Sequence, residues 1–117
     1  MEYEIEIYQG EHDNPPFTFW LDRIQDKKAR ATILMRLSRL RLGNLGDSKS
    51  VGSSIYELRI HYGPGLRIYY SKVGTKIVLL LCGGSKKSQV KDIARAKSYL
   101  KDYNLNKEIS YEKIRSI

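Results

Sequence analysis

Eight side chains in the second half of the chain could do chemistry: Arg59, His61, Arg67 and Tyr69, then Lys86, Lys87, Lys91 and Arg95. The first four lie on two alternating segments, at positions that share one face of a hairpin if those segments pair as strands. The last four follow a glycine pair, and Lys87, Lys91 and Arg95 recur at steps of four, the spacing of one helix face. Neither a carboxylate pair nor a nucleophile triad accompanies them. Arginine, lysine, histidine and tyrosine on one surface suit phosphodiester chemistry on RNA, whose 2′-hydroxyl is its own nucleophile. Such a site needs a proton acceptor, a proton donor and cations around the phosphorus. No metal and no other cofactor is expected.

Within that set His61 suits the general base, because imidazole titrates near neutrality. The alternative is a surface histidine at a hairpin end. Arg59 and Lys91 suit contacts to the sugar–phosphate backbone, with Arg95 on the same basic ridge as Lys91. Tyr69 is either a stacking platform for a base or a packing residue between strands.

Charge is concentrated in the same region. Residues 55–103 hold ten Lys or Arg against three acids, +7 of the formal +8 of the chain, whereas residues 1–54 hold eight of each and balance. A basic excess confined to one segment is built to meet an anion. A merely solvated face would scatter it.

The elements that must position these residues follow from periodicity. Tyr3, Ile5 and Ile7 alternate with Glu2, Glu4 and Glu6, a first strand with one core face and one acidic face. Pro15 or Pro16 opens a short amphipathic helix over 16–26, carried by Phe17, Trp20, Leu21 and Ile24. Asp26 marks a brief break. A longer helix spans about Lys28 to Arg41, with Ile33, Leu34, Leu37 and Leu40 as its buried stripe and Gly43 as its C-cap. The Gly/Ser-rich stretch 43–54 reads as a mobile loop without chemistry of its own.

Tyr56, Leu58 and Ile60 then alternate with Glu57, Arg59 and His61. Gly63, Pro64 and Gly65 turn the chain, and Leu66, Ile68 and Tyr70 return on one face with Arg67 and Tyr69 on the other. Ile77 to Cys82 is apolar at every position, which predicts a central strand covered on both faces, ended by Gly83-Gly84. A last helix runs from about Ser88 to Tyr103, with Ile93, Ala94, Ala96, Leu100 and Tyr103 inward. Asn104 to Ile117 is a polar extension, either a short helix or a tail. The fold class is α+β in one domain over 1–103, with helices on one side of the sheet and a shallow, concave working surface on the other.

At 117 residues the chain holds one modest core. Its single cysteine, Cys82, excludes an internal disulfide and sits where a buried structural thiol is expected. His12 and His61 have no cysteine partners at zinc spacing. No signal peptide or membrane span is legible, so a cytoplasmic protein with no membrane partner is expected.

The pattern E-L-R-I…G-P-G-L-R-I-Y-Y, an apolar strand, G-G-S-K-K-S-Q and D-I-A-R-A-K resembles the RelE/ParE toxin superfamily. Within it, the nearest likeness is to the phage-derived, HigB-like addiction module killer proteins, over roughly residues 2–103. The resemblance implies a RelE-like fold: a first strand, two N-terminal helices, a mainly antiparallel sheet and a C-terminal helix. It implies the toxin of a type II toxin–antitoxin system, a ribosome-dependent endoribonuclease that cuts mRNA in the A site, leaving a 2′,3′-cyclic phosphate and a 5′-hydroxyl. Its partners would be a cognate antitoxin, the ribosome and mRNA, and operator DNA through the antitoxin complex. Arg67 matches the arginine after the hairpin turn that contacts the scissile phosphate, and Lys86 and Lys87 match the basic pair near the leaving oxygen. Two positions depart: Glu57 stands where some members carry lysine, and Lys91 where some carry a catalytic tyrosine, with Tyr99 two turns further on. The ParE branch, which inhibits DNA gyrase, shares the fold and is the alternative function. A non-catalytic nucleic-acid-binding protein is the third.

Overall fold

The alternating segments around the Gly-Pro-Gly turn pair as strands. β3 (Ile55–Ile60) and β4 (Leu66–Val73) are antiparallel, with Glu57 opposite Tyr69 and Arg59 opposite Arg67. Gly63 and Gly65 take positive φ (56° and 91°) in the connecting turn, where a side chain would be strained. The computed structural model describes residues 2–115, and side chains through Lys107.

The remaining elements are β1 (Glu4–Ile7), α1 (Pro16–Asp22), α2 (Lys27–Arg41), β2 (Ser48–Gly52), β5 (Ile77–Ser85), a 3₁₀ turn (Lys86–Ser88) and α3 (Gln89–Arg115). They form one small α+β domain around a mixed five-stranded sheet ordered β1-β5-β4-β3-β2, in which only β1 with β5 is a parallel pair. As expected for its apolar run, β5 is interior to the sheet, and Val78 to Leu81 are buried. Among the described residues, no helix is long and apolar enough to cross a membrane.

Each sheet face carries its own core, and this corrects the expectation of an open working face. Phe17 of α1 and Ile33 and Leu40 of α2 pack with Leu58, Ile60, Ile68, Tyr70, Val78 and Leu80 on one side. On the other, Ala96 and Leu100 of α3 pack with Ile55, Tyr69, Leu79, Leu81 and Cys82. The apolar stripe of α3 has to leave water, and Ile55, Tyr69, Leu79 and Leu81 give that second face an apolar patch to receive it. α3 therefore lies over it and leaves uncovered only the end near the hairpin turn.

Five local readings are also revised. α1 stops at Asp22, because Asp26 is needed as the N-cap of α2, accepting hydrogen bonds from the Lys28 and Ala29 amides at 2.9 and 3.2 Å. Leu34 is 50% exposed, since Ala29, Ile33, Leu37 and Leu40 define the inward stripe one residue away from it. Ala94 on α3 and Ile7 on β1 are likewise exposed. The stretch taken for a loop holds the edge strand β2, joined to β3 through Ser53 and Ser54 at φ 53° and 64°. Two consecutive positive φ values make the tight turn of a hairpin, usually signalled by Asn-Gly.

β5 does not end before its glycines. It continues through Gly83 and Gly84, where a Cβ would collide with the Trp20 ring and with the Asp92 and Ser88 side chains respectively. The pair is there for close packing of α1 and α3 against the strand. The segment from Asn104 prolongs α3 to Arg115, while Ser116 and Ile117 lie outside the described residues.

Candidate functional site

The uncovered end of the second sheet face is a depression of about 450 Å³. Arg59, His61, Arg67 and Lys86 line it, with the Gly63–Leu66 turn. Three separate segments bring these groups together. Arg59 and Arg67 meet because they are register partners in β3 and β4. Lys86 arrives because Ser85 pairs with Leu66, so the chain leaves β5 beside the hairpin turn. A capping box then tightens the 3₁₀ turn: the Ser85 amide donates to Ser88 Oγ at 3.2 Å, and the Ser85 side chain caps the Ser88 amide.

His61 lies one residue beyond β3 and is exposed, its Nε2 2.8 Å from Asp47 Oδ2. That bond is the main reason the Asp47 carboxyl is held below its ordinary range. A carboxylate on one ring nitrogen orients the imidazole and leaves the other free for a substrate proton. Asp47 was missed by sequence reading because it sits in the Gly/Ser-rich stretch. The β2–β3 pairing brings it in, with the Arg59 amide donating to the Asp47 carbonyl at 2.9 Å.

Glu57, which the sequence marked as a departure from the resembled pattern, is fully buried at the centre of the basic group. Arg59 Nε lies 3.1 Å from Oε1, and Tyr69 Oη and Gln89 Nε2 donate to Oε2 at 3.0 and 2.8 Å. Burial pushes its pKa up, but the bonds from Gln89, Arg59 and Tyr69, with the nearby Arg67 charge, outweigh burial and hold it below the ordinary glutamate value. The carboxylate at the position where some members of the resembled family carry lysine thus pairs with Arg59 rather than facing solvent. The signal in the sequence was its place two residues before Arg59.

Arg67 is only 11% exposed; its Nε stands 3.6 Å from Glu57 Oε2 and is buried without a hydrogen-bond partner. Two guanidinium groups share one carboxylate, so the cluster keeps a net positive charge. An arginine held this way has donors to spare for an anion entering the depression.

Other candidates fall outside the depression. Tyr69 has no exposed ring face and its hydroxyl is held by Glu57, which corrects its reading as a stacking platform; it packs between the strands and α3. Lys87, Lys91 and Arg95 are exposed and run away from the depression along the 3₁₀ turn and α3. Cys82 is buried, its thiol donating to the Asp92 carbonyl at 3.6 Å.

No family model matches the chain. Over 89 residues it is 44% identical to an uncharacterized protein of Haemophilus influenzae, an alignment covering 76% of this chain and 90% of that protein. The chain belongs to the same family as that protein.

Proposed function

We propose that the protein is a RelE-like, HigB-like toxin of a toxin–antitoxin pair, acting as a ribosome-dependent endoribonuclease on mRNA. The observation that carries this reading is the depression lined by Arg59, His61, Arg67 and Lys86. In it, His61 accepts the proton of the RNA 2′-hydroxyl as that oxygen attacks the adjacent phosphorus. The Arg67 guanidinium, with Arg59 beside it, stabilises the charge growing on the non-bridging oxygens. Lys86 neutralises or protonates the departing 5′-oxygen. The bond from phosphorus to the 5′-oxygen breaks as the bond to the 2′-oxygen forms, giving a 2′,3′-cyclic phosphate and a 5′-hydroxyl. Lys87, Lys91 and Arg95 hold neighbouring phosphates. The antitoxin covers part of α2 and its C-cap, where Leu34, Met35 and Leu42 are exposed.

The test is to map 5′ ends on a defined mRNA in a purified translation system, with and without ribosomes, for wild type and Arg67→Ala. Cuts that require the ribosome and disappear in the variant are expected. If wild type gives no cuts, the reading fails. Inhibited gyrase supercoiling would then identify the ParE-like alternative, and salt-dependent RNA binding alone a non-catalytic binder.

A further inference from the structure

A second cavity, of about 460 Å³, lies between α1 and α3, along β5 beyond the end of its pairing with β1. Its chemistry differs from that of the depression. Trp20 forms one wall, packed against Gly83, and Tyr99 another. Phe19 is half-exposed at the rim with the Arg23 guanidinium 5.2 Å from its ring centroid. The His12 ring meets Tyr99 edge-on at 5.4 Å. Arg23 and Arg95 are balanced by Asp13 and Asp92 in the lining. Asp92, moreover, is buried, bonded to Ser88 and 4.0 Å from Arg95. A neutral cleft with aromatic walls and polar groups at its mouth suits a flat heteroaromatic ring rather than a phosphate.

The basic ridge leads to it. Lys86 lines the depression, Lys87 follows in the 3₁₀ turn, Lys91 comes next on α3, and Arg95, about 6 Å beyond it along the helix, lines the cleft. We infer that the cleft between α1 and α3 seats a base of the same RNA strand whose phosphate enters the depression, with the intervening phosphates on the ridge. The inference rests on the proposed reading in naming RNA as the ligand. Phe19, Trp20, Arg23 and Tyr99 are base-binding residues, and none of them takes part in the proton transfers.

Trp20 is the sole tryptophan of the chain, so its fluorescence reports the cleft directly. The probe is a six-residue oligoadenylate, compared with an abasic oligomer of the same length and charge. Oligoadenylate is expected to quench Trp20 saturably, and the abasic oligomer to bind more weakly without quenching. Phe19→Ala and Arg23→Ala should each weaken oligoadenylate binding roughly 5- to 100-fold and leave abasic binding unchanged. Lys91→Ala should weaken both probes alike. Equal binding of the two oligomers, or wild-type affinity in Phe19→Ala and Arg23→Ala, would overturn the inference. Arg67→Ala should lose cleavage yet still quench Trp20 fully at saturating oligoadenylate, which separates the two proposals. Trp20 quenching in a protein that cuts no mRNA would sink the endonuclease reading alone. Cleavage by a protein whose Trp20 ignores bases would sink the cleft alone.

Discussion

Glu57 and Arg67 meet diagonally across the β3–β4 ladder, carboxylate Oε2 to guanidinium Nε at 3.6 Å, with Glu57 fully buried and Arg67 nearly so. The carboxylate is shared with Arg59, Tyr69 and Gln89. One buried anion thereby ties β3, β4 and the start of α3 together while leaving one guanidinium incompletely paired. The same carboxylate thus holds three elements together and sets how the two guanidinium groups are paired.

Removing that group should be costly. Glu57→Ala strands two guanidinium groups and leaves the Tyr69 and Gln89 donors without their acceptor. A loss of about 3–5 kcal/mol is expected, as for the breaking of a buried ion pair from one side. Glu57→Gln, which keeps the shape and one acceptor, should lose less. Urea denaturation checks this; a loss below about 1 kcal/mol in Glu57→Ala would show that the cluster is not holding the strands to α3.

Arg67→Ala is not the surface change that the sequence suggests, because the side chain is 11% exposed. It should cost about 1–3 kcal/mol of stability from the weakened cluster and abolish mRNA cleavage. Arg67→Lys keeps the charge but not the planar fork, so it should fold better than Arg67→Ala and still lose about 10²–10³ in kcat. Rapid cleavage by Arg67→Lys would reduce the role of Arg67 to charge alone.

Acid should destabilise the fold through three carboxylates. Asp26 is held below its ordinary 3.8 first by the Ala29 amide, Asp47 below 3.8 by His61, and Glu57 below 4.5 by the bonds that outweigh its burial. A folded-state pKa lower than the unfolded one means that the unfolded chain takes up protons first as pH falls. The contribution is therefore complete above the ordinary carboxylate values and is lost as pH drops through the lower folded ones. Thermal melts from pH 6 to pH 2 should show Tm falling mainly below pH 4.5. Glu57→Gln should flatten that fall, and an unchanged slope would remove Glu57 from the linkage.

The Cys82 thiol should be inert in the folded protein. Burial, followed by the nearby Asp92 charge, pushes its pKa up to about 12, and the thiolate is the reactive form. Iodoacetamide at pH 8 should label it only after denaturation. Rapid labelling of the native protein would mean that the second core opens readily.

Adjacent positions of α2 should separate core from surface. Ile33→Ala empties a fully buried site and should cost roughly 2–5 kcal/mol, whereas Leu34→Ala at 50% exposure should cost under about 0.5 kcal/mol. Leu37→Ala and Ile93→Ala, both half-buried against a core, should fall between. Equal losses at positions 33 and 34 in chemical denaturation would contradict the packing of α2.

The hairpin around Gly63 to Gly65, the central strand from Ile77 and the amphipathic helices were legible in the sequence, because side-chain period and turn residues are local properties of the chain. Arg59, His61, Arg67 and Lys86, four of the residues named from the sequence, line one depression. What escaped the sequence depends on distant partners. Ser53-Ser54 makes a tight turn only because β2 pairs with β3, and Gly83-Gly84 stays in the strand because Trp20 and Asp92 press on it. Tyr69 could not be assigned to core or surface until α3 was known to lie over it. Glu57 stood out only as a departure from the resembled pattern and Asp47 not at all; a buried carboxylate among arginines and an anchor for His61 exist only where register and packing place them. Local sequence determined which groups the protein carries. Tertiary structure decided which of them line the depression and which are used to hold the others still, because pairing and burial are set by contacts between segments far apart in the chain.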